Sequence, residues 1–315
     1  MHTSQVKVIA DSYSEHGNRI ITFQLRYWRG IHAEARTHRR HSQSGEWVTP
    51  DIALMDDRAL SRNAGSSRAR PSKAIIEQVR NDPWGPLSWG RNQSGMQAGE
   101  ELTGDALEEA KKRWRWAAGR AADAAERLME LGLHKQVVNR PLEMYTYIDT
   151  VLTATDLRNW YALRDHPDAD PTIQDLARNM RAAQDASVPK LLRFNEWHLP
   201  YITDDDRIIA EGYLREQGHT TYNNLAILDL LKKISAARCA RVSYRAFDGT
   251  VSPIEKDLAL YHDLVVETPL HASPAEHQAT PDEKMMDGNW MSPELHGNLT
   301  GWIQYRKTLP NEFVS

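Results

Sequence analysis

A single cysteine, Cys239, stands among 315 residues. No intrachain disulfide can form, which suits a reducing compartment. The scarcity also bears on chemistry. Nucleophilic catalysis by a thiol has one candidate, and its setting, A-R-C-A-R-V, reads as a buried structural position. No stretch reaches the roughly 18 apolar residues of a membrane span. Met1 to Asp11 shows no signal-peptide pattern, so the expected location is the cytoplasm, a host cell's if the chain is viral. Positive charge is not in surplus either. Lys and Arg number 39 against 43 Asp and Glu, a formal charge of −4. That balance argues against a broad surface for polymeric nucleic acid, but a mononucleotide needs only a local cluster of donors.

What is present is ordinary for a globular protein: 40% hydrophobic and 26% charged residues, in a chain long enough to bury a substantial core. Ten tryptophans exceed average usage. Trp28, Trp84, Trp89, Trp160, Trp197 and Trp302 sit among polar and basic residues, and core or subunit-interface packing is their plainest role, with stacking on a ring ligand the alternative.

Val6 to Tyr13 and Ile20 to Tyr27 alternate around Gly17-Asn18, the pattern of a β-hairpin. A short helix follows over residues 30–40. Residues 40–60 read as an exposed insertion and 81–104 as a long irregular loop. Asp105 to Leu131 is the clearest helix, stopped at Gly132. Helices are also expected over residues 155–163, over 171–186 with Asp170 as N-cap, over 222–237, and from Pro253 to Val266. Residues 272–299 read as loop and 302–309 as a final strand. Strands at the two chain ends are expected to pair in space, giving one α+β domain over residues 1–315.

The most informative stretch is Ser61 to Pro71, S-R-N-A-G-S-S-R-A-R-P. Three serines, an asparagine, a glycine and three arginines fall within eleven residues, with neither helical nor strand periodicity. Gly65 permits a tight backbone whose N–H groups can converge on an anion. Arg62, Arg68 and Arg70 offer forked donors suited to phosphate, and a solvated polar turn is the bland alternative. His32, His38 and His41 lack the spacing and partners of a zinc site, so no metal is expected.

These residues resemble the flavin-dependent thymidylate synthases, the ThyX family. That family carries an R-H-R triplet followed by S-x-N-x-x-S-x-R. Here the triplet is Thr37-His38-Arg39, and Ser61, Asn63, Ser66 and Arg68 keep the internal spacing of the second motif. Other segments resemble viral, phage-type members in order along nearly the whole chain: His134 to Gln136, Asn139-Arg140, Ala162 to Arg164, Trp197 to Tyr201, Cys239 to Tyr244, His271 to His277 and Gly301 to Lys307. Ala240 to Ser243 and Pro274 to His277 correspond to segments that precede the triplet in cellular members, so the chain resembles a circularly permuted form. Three departures stand out: Thr37 replaces the first arginine of the triplet, about twenty residues separate the triplet from Ser61, and Glu34 stands where cellular members have glutamine.

The resemblance implies a fold, a reaction and a site. The fold is a central antiparallel or mixed sheet with flanking helices, its strands drawn from both chain ends. The reaction is transfer of a one-carbon unit from methylenetetrahydrofolate to C5 of dUMP, giving dTMP, with FAD reduced by NADPH. FAD would be bound by His38, Arg39, Asn63, Asn159 and His277. The nucleotide would be bound by Gly65, Ser66, Arg68, Arg140 and Arg164, with Arg164 and Ser66 as catalytic residues. A homotetramer with sites at its subunit interfaces is implied too. Methylation or hydroxymethylation at C5 of dCMP or dUMP is the close alternative, and a non-catalytic nucleotide or nucleic-acid binder the distant one.

Overall fold

The computed structural model describes residues 2–35, 60–218, 224–243, 252–266, 271–310 and 312. Strands β1 (Gln5–Ser14) and β2 (Arg19–Trp28) form the expected hairpin, turning at Gly17, whose φ of 80° is open to glycine at no steric cost. A short helix, α1 (His32–Ala35), follows. Thr37, His38 and Arg39 lie outside the described residues, as does the insertion expected near 40–60 apart from Leu60.

Three strands in this sheet were not legible in the sequence. Leu60–Ala64, read above as aperiodic, is edge strand β3, and Tyr147–Ala154 is β4. With β5 (Lys190–Leu192) they give the order β3-β4-β2-β1-β5. Every pairing is antiparallel except β1 with β5, so the sheet is mixed and the fold is α+β.

The two faces of this sheet differ, as period-2 alternation requires. On one face Ile21, Phe23, Leu25 and Tyr27 of β2 pack with Ile148 and Leu152 of β4 against α5 (Arg158–Arg164) and α6 (Pro171–Asp185). Helix α6 starts as expected: the Asp170 carboxylate accepts from Thr172 and Ile173 N–H, and Pro171 fills the first turn. The other face is buried yet polar. It carries Thr22 and Gln24 of β2, Thr153 of β4 and Ser61 of β3, all under 5% exposed.

Helices α2 (Ser72–Asn81) and α3 (Gly104–Glu130) form a second layer in which Ile75, Ile76 and Val79 meet Ala118, Ala122 and Ala125. The α3 alanines let the two backbones come close. After α3 come α4 (Lys135–Val138) and a 3-10 turn over Arg140–Tyr145. The C-terminal half holds α7 (Asp204–Glu216), α8 (Asn224–Ala240) and α9 (Ile254–Tyr261) around Ala210, Ile227, Leu230 and Ile234. They are locked by Arg238, 3% exposed, which bonds Asp206 bidentately at 2.6 and 2.8 Å and Asp257 at 2.9 Å.

The expected pairing of the two chain ends takes a different form. β6 (Ala279–Pro281) and β7 (Trp302–Gln304) pair with each other, not within the five-stranded sheet. Edge strand β3 meets this second sheet through side chains: Gln304 and Asn298 amides donate to Ser61 Oγ at 3.2 and 3.3 Å. The final strand is also shorter than expected, because the chain turns into a 3-10 segment at Tyr305–Thr308. Among the described residues no helix is long and apolar enough to cross a membrane.

Candidate functional site

The serine–arginine segment leaves β3 and turns at once. Gly65 N–H donates to Asp149 O at 2.7 Å, and Arg29 donates to Gly65 O at 3.3 Å. Ala69 N–H returns to Ser66 O at 3.0 Å, and Arg68 N–H reaches Ser66 Oγ at 3.3 Å. One buried amide staples the turn: Asn139 Nδ2 donates to Ser67 O at 2.7 Å and to Arg70 O at 3.1 Å. Pro71 then opens α2.

Glu143 organises the charges around this turn. Its carboxylate accepts from Ser67 Oγ, from Arg29 at 3.2 Å and from Arg140 at 3.0 Å. Burial pulls the Arg29 guanidinium below its ordinary pKa, and Glu143 opposes that pull. Arg26 is spent on Asp149 by a bidentate pair at 2.7 and 2.9 Å, while burial still raises the Asp149 carboxyl above its ordinary value. Arg26 and Arg70 both lie over the Tyr147 ring, 4.1 and 4.7 Å from its centre. Arg29, Gly65, Ser66, Ser67, Arg70, Thr146, Tyr147 and Asp149 line one small cleft. Arg68 is exposed beside it and makes no ion pair among the described residues. A preformed turn with the exposed Arg68 guanidinium at its rim can take a phosphate.

The remaining expected residues are spread along the β3–β4 ladder. Asn63 pairs with Val151 in its middle, and Asn63 Nδ2 is buried with no hydrogen-bond partner among the described residues. His277 is fully buried near the other end, where its Nδ1 meets Thr153 Oγ1 at 2.9 Å and its Nε2 has no hydrogen-bond partner among the described residues. Burial, helped by neighbouring His198, lowers the His277 pKa to about 3, so the ring is neutral. Asn159 belongs to α5, which the chain enters beyond Ala154, and Arg164 is the last residue of that helix. A cleft of about 690 Å³ opens there between the hairpin turn at Gly17–Arg19, Thr155–Arg158 and Trp290. Arg140 lies against the turn but is committed to Glu143. One chain thus gathers Gly65, Ser66, Arg68 and Arg140 at one end of the ladder and holds Asn159 at the other. Cys239 is fully buried, as expected of a structural thiol.

Sequence reasoning missed Arg29, Glu143, Asp149 and Tyr147. The Asn139-Arg140 pair was the available signal, since it sits three residues before Glu143. The groups present suit an anion together with a ring that can accept from Asn63. Among the described residues no cluster of side chains could hold a metal ion.

No family model and no curated protein matches the chain. Among solved structures, it is similar to the UMP/dUMP methylase PolB from Streptomyces cacaoi bound with 5-Br UMP, at 17% identity and a TM-score of 0.42, over 58% of this chain and 89% of that one. The same methylase bound with 5-Br dUMP is similar at 15% identity and a TM-score of 0.40, over 58% and 90% of the two chains. A likeness this distant carries no functional assignment.

Proposed function

We propose that this chain is a flavin-dependent enzyme of the ThyX type that transfers a one-carbon unit to C5 of dUMP. The observation that carries the reading is the Ser61–Arg68 motif held as a stapled turn, with uncommitted Arg68 at its rim and unpartnered Asn63 just before it.

In this reading Gly65, Ser66 and Arg68 grip the nucleotide phosphate, with Arg140 at the rim. Arg164 faces the pyrimidine and polarises its carbonyl, which raises electron density at C5. With no accessible cysteine to add at C6, the protein's part is to bind, orient and polarise. Asn63, Asn159 and His277, together with His38 and Arg39, would hold FAD, and the unpartnered nitrogens of Asn63 and His277 fit its ring carbonyl and nitrogen atoms. FAD, once reduced by NADPH, supplies the hydride, and methylenetetrahydrofolate the carbon. A homotetramer would bring the two ends of different ladders to one substrate.

The test begins with the visible absorption spectrum of purified protein, with and without added FAD. A bound flavin band and release of the C5 proton of dUMP in the presence of folate and NADPH are expected. Arg68→Ala should retain the flavin band and weaken dUMP binding by about tenfold or more, the cost of one charge-assisted phosphate contact. Protein that never takes up FAD ends the proposal. Product mass after incubation with dUMP and with dCMP separates methyl from hydroxymethyl and uracil from cytosine.

A further inference from the structure

The buried polar face of the sheet carries an unbroken row of hydrogen bonds. Ser12 Oγ meets His198 Nδ1 at 2.9 Å, and His198 Nε2 meets Thr22 Oγ1 at 2.8 Å. Thr22 Oγ1 meets Thr153 Oγ1 at 2.6 Å, and Thr153 Oγ1 meets His277 Nδ1 at 2.9 Å. The five side chains are each at most 5% exposed. The row starts at a cavity of about 560 Å³ whose lining includes Ser12 and His198. It ends at His277 Nε2, a buried nitrogen with no hydrogen-bond partner among the described residues.

We propose that Ser12, His198, Thr22, Thr153 and His277 form a proton conduit between this cavity and His277 Nε2. Each group in the row can both give and accept a proton. A neutral imidazole bonded through both nitrogens takes a proton on one and releases it from the other. Both rings are held neutral, since burial lowers the pKa of each to about 3. In one sense of the row Ser12 donates to His198, His198 to Thr22, Thr22 to Thr153 and Thr153 to His277, which carries its proton on Nε2. When that proton leaves, each upstream proton moves one place along its bond, and cavity water resupplies Ser12 Oγ. One proton enters and one leaves, with no net charge left on the row. Each passage leaves the row in the opposite sense, and a proton taken up at His277 Nε2 with one released from Ser12 Oγ to cavity water restores the first sense.

Purely structural satisfaction of buried polar groups predicts the same distances but a different exchange behaviour. Full-length protein with ring-15N histidine, studied by NMR without substrate or cofactor, distinguishes the two; His277→Gln identifies the resonance. The His277 ring proton should exchange with solvent at least about tenfold faster than the Val151 and Leu152 amides of β4, which report opening of the same region. Ser12→Ala should slow the ring proton by about tenfold while leaving those amides unchanged. Thr22→Val should do the same. Ring exchange no faster than the amides in the unaltered protein overturns the proposal, as does an unchanged rate in a folded Ser12→Ala variant. The comparison within the unaltered protein stands even if neither variant folds. No flavin or nucleotide enters the measurement, so its outcome is separate from that of the proposed activity.

Discussion

Glu143 is the residue on which the phosphate turn depends most, and its removal has a magnitude that follows from its partners. Glu143→Ala deletes the acceptor of the buried Ser67 hydroxyl and of Arg29, whose side chain is 18% exposed. It also deletes the acceptor of Arg140, whose side chain is 57% exposed. A hydrogen bond to a charged group contributes about 1.5–3 kcal/mol, and a solvent-exposed ion pair about 0–1 kcal/mol. The Ser67 and Arg29 contacts share one carboxylate and do not add fully, so the expected loss is about 3 kcal/mol. Glu143→Gln keeps the shape and one acceptor while removing the charge, and should cost about 1 kcal/mol. Urea unfolding, read as a midpoint shift at constant slope, measures both. The same pair separates geometry from charge in binding. The glutamine variant should bind dUMP at least as well as the parent protein, because a carboxylate beside the phosphate is gone. The alanine variant should bind about tenfold more weakly, because the turn is no longer held. Equal stability losses for the two variants, or a loss below about 1 kcal/mol for alanine, would refute the argument that Glu143 organises the turn.

Two further predictions concern the buried charges and rings. Arg238→Met leaves buried Asp206 with only its Thr203 contacts and buried Asp257 with only Arg241 and Ser252, and should cost about 3 kcal/mol by denaturant titration. Glu130→Gln, at an exposed pair with Arg127, should cost less than about 1 kcal/mol, and comparable effects at the two places would undo the reasoning. His198 and His277 have folded-state pKa values of about 3 against 6.5 for an unperturbed ring. Between those values the unfolded chain binds protons that the folded chain refuses, so their contribution to stability is complete above about 6.5 and falls as pH falls toward 3. Each ring contributes a slope of about 1.4 kcal/mol per pH unit within that window. Unfolding free energies at pH 7.5, 6 and 5 check it, and a flat profile would show that the rings are protonated when folded.

The sequence was most readable where one local rule decides the outcome. The hairpin around Gly17, the α6 start at Asp170-Pro171 and the α3 stop at Gly132 each rest on backbone chemistry within a few residues. Strands β3 and β4 were harder because their periodicity is masked. β4 is buried on both faces, so Tyr147 to Ala154 does not alternate between apolar and polar residues. β3 alternates, but with serine and asparagine turned toward the buried polar face, where hydrophobic patterning gives no signal. The last strand was legible as an extended segment, but its partner β6 was not, since it is three residues long inside a stretch read as loop. In the site, the arginines and serines announced themselves by composition. Glu143 and Asp149 did not, because a lone acidic residue becomes informative only when three partners converge on it.

The layout of the ladder limits how the expected residues can act together. Gly65 is bonded to Asp149, whereas Arg158 and Thr155 line the cleft beyond Ala154, next to the hairpin turn. Asp149 to Ala154 spans five residues of extended chain, about 17 Å at roughly 3.3 Å per residue. A mononucleotide phosphate held at Arg68 therefore cannot place its base beside Asn159 of the same chain. If Asn159 holds the flavin beside that base, it must come from another copy, and mixing two impaired variants decides the matter. Arg68→Ala and Asn159→Ala chains, each impaired alone when dUMP is well below saturation, should rise toward about a quarter of the parent activity when co-assembled, because random pairing leaves about one site in four with both residues intact. Absence of any recovery in a verified mixed oligomer would mean that the two residues serve one site from one chain, and the ladder geometry would have to be wrong.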